Sequence, residues 1–116
     1  MHFSPNNFQI VSGDDITAVD SILKGAVGVV SVIGNAFPSK INEVVKHALN
    51  NETRYALQKH NELRMLMSLI FEEGSPSGIK ALMSELGVCE NNLRLPLVPV
   101  SFNLLEAIKF QLNSLT

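Results

Sequence analysis

The segment running from Phe8 to Val32, FQIVSGDDITAVDSILKGAVGVVSV, constrains this chain more than any other. It reads as strand, acidic turn, helix, glycine, strand. The first strand, Phe8–Ser12, ends at Gly13-Asp14-Asp15. Glycine permits a sharp turn there, and an aspartate caps the following helix and complements its dipole. That helix is expected over Asp15–Lys24, with Ile16, Val19, Ile22 and Leu23 recurring on one side at the helical period. Lys24-Gly25 supplies a cation for the last turn and a glycine for the position beyond it. The second strand, Val27–Val32, is nearly all apolar, which suits a parallel sheet covered by helices. The connection is too long for a hairpin, so the strands are expected to lie adjacent and parallel, joined by a right-handed crossover. In such units chemistry gathers at the carboxyl ends of the strands. Gly13-Asp14-Asp15 and the stretch after Val32 therefore mark the expected functional face.

The remainder of the chain reads as helices. Pro38–Leu49 opens with a proline at a favoured first-turn position and carries Ile41, Val44, Val45, Ala48 and Leu49 at amphipathic spacing. Asn50-Asn51 breaks it. A longer helix is expected over Glu52–Phe71, burying Ala56, Leu63, Leu66, Met67 and Ile70. After Glu73-Gly74, Ser75 is the expected cap and Pro76 the first residue of a helix carrying Ile79, Leu82, Met83 and Leu86, ending at Gly87. Pro96 and Pro99 make Val88–Val100 extended. Ser101 is the expected cap of a last helix with Leu105, Ile108, Leu112 and Leu115 as its stripe. Two strands against about five helices is an imbalance, because a two-stranded sheet leaves both outer edges seeking partners. The order looks like the end of a larger α/β fold.

Composition narrows the function classes. With 46% apolar and 17% charged residues, the chain can bury a core. Its net charge of −2 and lack of a basic cluster give nucleic acid no electrostatic footprint. The single cysteine, Cys89, fits a reducing compartment. The start, MHFSPNNF, has no signal-peptide pattern, and no run of about 18 apolar residues offers a membrane span. A cytoplasmic location is the expectation.

Candidate site residues each have a bland alternative. Asp14-Asp15 reads first as a helix cap, and Val30 as core of an apolar strand. Lys80 lies between Ile79 and Ala81, off the apolar stripe, and reads as a surface lysine rather than an amine tuned for imine chemistry. Lys24 and Lys40 are solvated charges at helix ends. His2, His47 and His60 lack paired-ligand spacing, so no metal site is expected. Tyr55 and the Met65–Met67 region read as packing, and Glu72-Glu73 as an ordinary polar turn.

Four blocks resemble the dihydrodipicolinate synthase family: SGDD at Ser12–Asp15, GVVSVIGNAFP at Gly28–Pro38, EEGSPSGIKALMSELG at Glu72–Gly87 and LRLPLVPVS at Leu93–Ser101. They occur in the family's order and spacing from Phe8 to the C-terminus. N-acetylneuraminate lyase and related pyruvate-dependent lyases share the architecture, and the LRLPLVPVS block favours the synthases. The resemblance implies an α/β fold: the last two βα units of a (β/α)₈ TIM barrel (residues 1–49) followed by a C-terminal helical extension (residues 50–116). It implies that Val30 lines the pyruvate pocket, that Gly13 lies near bound substrate, and that Asp14 and Asp15 sit where the aldehyde approaches.

The implied parent reaction condenses pyruvate with aspartate semialdehyde on the route to lysine, through a Schiff base and without a cofactor or metal. The family's Schiff-base lysine ends the strand before Phe8–Ser12, and one strand–helix repeat takes about 30 residues, so that lysine is expected to precede Met1. The tyrosine–threonine proton relay and the arginine for the second substrate lie earlier still. No residue of this chain is therefore expected to be catalytic. Met1–Pro5 looks unlike a barrel helix and reads as a new start. Two other readings stand beside this one. The chain is an interaction module, pairing with itself or with a full-length synthase, or a minimal aldolase using another lysine.

Overall fold

The structure, a computed structural model, describes residues 7–115. His2 and the Met1–Pro5 start lie outside the described residues. The order is β1 (Val11–Ser12), α1 (Ala18–Leu23), β2 (Gly28–Val29), a 3-10 turn (Ile33–Asn35), α2 (Pro38–Leu49), α3 (Thr53–Glu72), α4 (Ser77–Glu85) and α5 (Phe102–Leu115).

The strands pair in parallel, with Val11 opposite Gly28 and Ser12 opposite Val29. Two further bonds extend the ladder: Val27 N–H donates to the Ile10 carbonyl and Val30 N–H to the Ser12 carbonyl, each at 2.8 Å. Regular pairing is thus shorter than the expected Phe8–Ser12 and Val27–Val32. Among the described residues each strand has one neighbour, and the outward edges carry no ladder to prolong them. The helix between the strands is also shorter than Asp15–Lys24. Its N-cap is Thr17, with no side-chain cap, and Asp14 and Asp15 precede it in a turn. Its end follows expectation, since Gly25 adopts φ 119°, a conformation that favours glycine.

Helix α2 matches its expected bounds. Pro38 opens it, Asn50 is its C-cap, and the next residue, Asn51, turns the chain at φ 58°, in the left-handed region that asparagine tolerates. Its buried stripe is Ile41, Val44 and Ala48, while Leu49 stays exposed. All five expected core positions of α3 are buried: Ala56, Leu63, Leu66, Met67 and Ile70. Met65 is exposed, so only Met67 of that pair is core, and Tyr55 is exposed with its ring 5.6 Å from that of His47.

The chain divides into two compact units, one ending at Asn61 and the other beginning at Glu62. In the first, α1 packs on α2, and α2 packs on β2 and the 3-10 turn. Its core includes Val19, Ile22, Ile33, Ile41 and Val44. In the second, α4 packs on α5, and Leu63, Met67, Ile70, Leu82, Leu104 and Ile108 form the core. A Cβ on Gly78 would stand 1.8 Å from the Ile70 carbonyl oxygen, so α4 approaches the α3 backbone more closely than any side chain allows.

One cap in this unit differs from expectation and one follows it. Pro76, not Ser75, is the N-cap of α4, and no side chain caps it. The hydroxyl of the next serine, Ser77, donates to the Val98 carbonyl at 2.9 Å. Ser101 does cap α5, its hydroxyl accepting Leu104 N–H at 3.2 Å. The stripe of α5 is rotated slightly: Leu104 and Ile108 are fully buried, and Leu105, Leu112 and Leu115 are half-buried.

Candidate functional site at the carboxyl ends of the strands

Parallel pairing brings the expected site residues together. Ser12 ends β1 and its carbonyl accepts Val30 N–H, so Gly13 and Val30 leave adjacent strands at the same end. Val30 is 73% exposed. Gly13 is exposed too, and a Cβ there would meet nothing within 4 Å. Both residues thus stand open to solvent at the carboxyl ends of the strands, and Val30 is not the strand core that its apolar run suggests.

The two aspartates after Gly13 have different environments. Asp14 is exposed, and its Oδ2 accepts the Thr17 hydroxyl at 2.7 Å and Thr17 N–H at 3.1 Å. It closes the turn before α1. Asp15 is 1% exposed and does not cap α1. Its carboxylate reaches across to the loop after β2, where Oδ1 accepts the Ser31 hydroxyl at 2.5 Å, and Oδ2 accepts Val32 N–H at 3.1 Å and Ile33 N–H at 2.9 Å. These amides open the 3-10 turn, where N–H groups have no partner within the turn. The Ser31 hydroxyl in turn accepts Gly34 N–H at 2.9 Å.

His60 joins the same cluster. It is 3% exposed, and its Nε2 lies 3.3 Å from the Asp15 main-chain carbonyl. A carbonyl only accepts, so Nε2 carries the hydrogen in this contact. Nδ1 is buried without a hydrogen-bond partner. Neither the Ser31 link nor His60 is visible to motif spacing. The only sequence signal was a second acidic residue next to one that already satisfied the local turn.

A cleft of about 590 Å³ lies beside this face, lined by Gly28, Val29, Ser31 and Gly34 and by Ile41 and Val45 of α2. In the second unit, Lys80 is half-buried and borders a separate cleft of about 510 Å³ with Pro76, Leu93, Arg94 and Leu97. Glu73 is not an ordinary turn residue. It accepts Ser101 N–H at 2.8 Å and the Ser101 hydroxyl, and these bonds, the hydroxyl's above all, hold its carboxyl below the ordinary value of 4.5. Among the described residues no group of three or more His, Cys, Asp and Glu is placed to hold a metal ion, and no helix is long and apolar enough to cross a membrane.

A parallel strand pair with a helix between its strands defines an α/β arrangement. The family pattern described as "Dihydrodipicolinate synthetase family" matches residues 2–115. The chain belongs to that family. It is 44% identical over 111 residues to a 4-hydroxy-tetrahydrodipicolinate synthase of Phocaeicola vulgatus, an alignment covering 96% of this chain and 37% of the relative. A second such synthase, of Cytophaga hutchinsonii, is 40% identical over 106 residues, covering 91% of this chain and 36% of its own length.

Among solved structures, the 4-hydroxy-tetrahydrodipicolinate synthase of Methylacidiphilum fumariolicum SolV superposes with a TM-score of 0.92 at 34% identity, over 98% of this chain and 38% of that one. The dihydrodipicolinate synthase of Aquifex aeolicus gives 0.91 at 32% identity, over 95% and 38%. The chain thus spans little more than a third of the length of the relatives it matches.

Proposed function

We propose that this chain is the C-terminal portion of a Schiff-base synthase that condenses pyruvate with aspartate semialdehyde for lysine biosynthesis. In this reading residues 1–49 are the last two βα units of a TIM barrel and residues 50–116 the helical extension. The observation that carries it is the meeting of Gly13 and Val30 at one open strand end in a chain so similar to synthases. Val30 lines the pyruvate pocket, Gly13 lies near substrate, and Asp14 borders the aldehyde approach. The amine that forms the imine comes from the preceding strand, outside these 116 residues, so the chain alone is inactive. The cytoplasm is the compartment that suits such a biosynthetic enzyme.

The test is incubation of the chain with pyruvate and borohydride, followed by intact-mass measurement. No adduct is expected. A stoichiometric pyruvate adduct would overturn the inactivity, and its location on Lys80 would establish the minimal aldolase instead.

A second reading, an interaction module that pairs with itself or with synthase chains, is favoured by the open strand pair. Phe8, Val11, Val27 and Val30 are 60%, 50%, 43% and 73% exposed, and fully burying one such side chain is worth roughly 1.5–3 kcal/mol. Sedimentation across a wide concentration range decides it. A monomer at every concentration removes self-pairing.

A further inference from the structure

We propose that Asp15 is the positioning residue of the strand-end face, holding the segment that follows Val30 in place rather than meeting substrate. This rests on the reading that Val30 lines the substrate pocket. Both carboxylate oxygens of Asp15 are already engaged, one with the Ser31 hydroxyl and the other with the Val32 and Ile33 amides. The residue is buried, so it offers nothing to a ligand arriving at the open end. What it does control is the course of the chain.

Val30 is tied upstream through its own N–H to Ser12. Downstream, the peptides from Ser31 to Gly34 hang on the Asp15 carboxylate, directly or through the Ser31 hydroxyl. Asp15 is itself located by α3, because His60 Nε2–H donates to its carbonyl. Val30 is thereby held between two fixed points and cannot turn without breaking one of them. The adjacent carboxylates divide their roles. Asp15 builds the face, and the exposed Asp14 is the one left beside it.

Amide hydrogen exchange on the full chain tests this, comparing the native protein with Asp15→Ala, Asp15→Asn and Ser31→Ala. Asp15→Ala is expected to speed exchange at Val32 and Ile33 by about tenfold or more, the equivalent of a lost charged hydrogen bond, while amides of α2 keep their rates. Asp15→Asn, which retains an accepting oxygen of the same shape, restores part of the protection. Ser31→Ala speeds Gly34 and affects Ile33 less. A uniform rise across α2 and the turn would mean a general stability role, and unchanged rates at Val32 and Ile33 would mean no role. Either overturns the proposal. If Asp15→Ala does not fold, Ser31→Ala decides, since an unaltered Gly34 rate would also overturn it. The borohydride test is independent of this one, so an adduct there would end the inactive-portion reading while leaving the exchange result standing.

Discussion

Asp15 in the first unit and Glu73 in the second perform the same task in opposite surroundings. Each carboxylate reaches a distant helical start: Asp15 the amides of Val32 and Ile33, 17 and 18 residues on, and Glu73 the amide and hydroxyl of Ser101, 28 residues on. Asp15 is 1% exposed and Glu73 is open to solvent. When a buried acceptor is removed, its donors lose water as well as their partner. When an exposed one is removed, water replaces it. The contacts are alike on paper, and burial decides what each contributes.

The largest effect is therefore expected at Asp15. Replacing it with alanine strands the Ile33 amide, whose bond to Asp15 is buried, and frees the Ser31 hydroxyl. A loss of roughly 3 kcal/mol follows from donors left unsatisfied in a place water does not reach. Denaturant unfolding followed by a probe in the first unit measures it. A loss below about 0.5 kcal/mol, the range of ordinary surface substitutions, would erase the distinction between the two carboxylates.

The sequence conveyed the elements whose signals are local. Pro38 and the Asn50-Asn51 break bounded α2, and the apolar period identified the buried face of α3 because each helical position repeats that pattern. Parallel pairing of the strands followed from the length and polarity of what lies between them. Asp15 was misread because capping rules look to the next helix, and its partners lie beyond a second strand. Ser75 was misread for a related reason, since the hydroxyl the fold uses, on Ser77, answers the Val98 carbonyl from a loop that periodicity does not describe. At the site, Gly13 and Val30 met because strand topology alone brings them together. The hydrogen bonds that fix their loops are tertiary and left no spacing to read.

A smaller effect is expected where the second unit's cap meets solvent. Ser101→Ala removes the acceptor for Leu104 N–H and the donor to Glu73. Loss of a helix N-cap costs about 1 kcal/mol. Unfolding of Ser101→Ala beside Asp15→Ala gives the comparison directly, and equal losses would show that burial is not what separates the two sites.

The smallest effect concerns acid. In a capping box the helix's own third residue reaches back to the cap N–H. In α5 that position is Leu104, and Glu73 takes the role from outside the helix. Its folded carboxyl titrates below 4.5, first because the Ser101 hydroxyl bonds the charged form and second because Ser101 N–H does. A depressed carboxyl stabilises the fold above its ordinary value, and that contribution disappears as pH falls through the lowered folded value. Solvent keeps it small. Glu73→Gln should therefore melt slightly below the native chain at neutral pH, and the two curves should converge in acid, beneath 4.5. Melting temperatures collected on both proteins through that range test the sign. Curves that stay parallel throughout would show that charge on Glu73 adds nothing to its hold on Ser101, leaving the buried Asp15 as the only one of the two carboxylates that stabilises its unit.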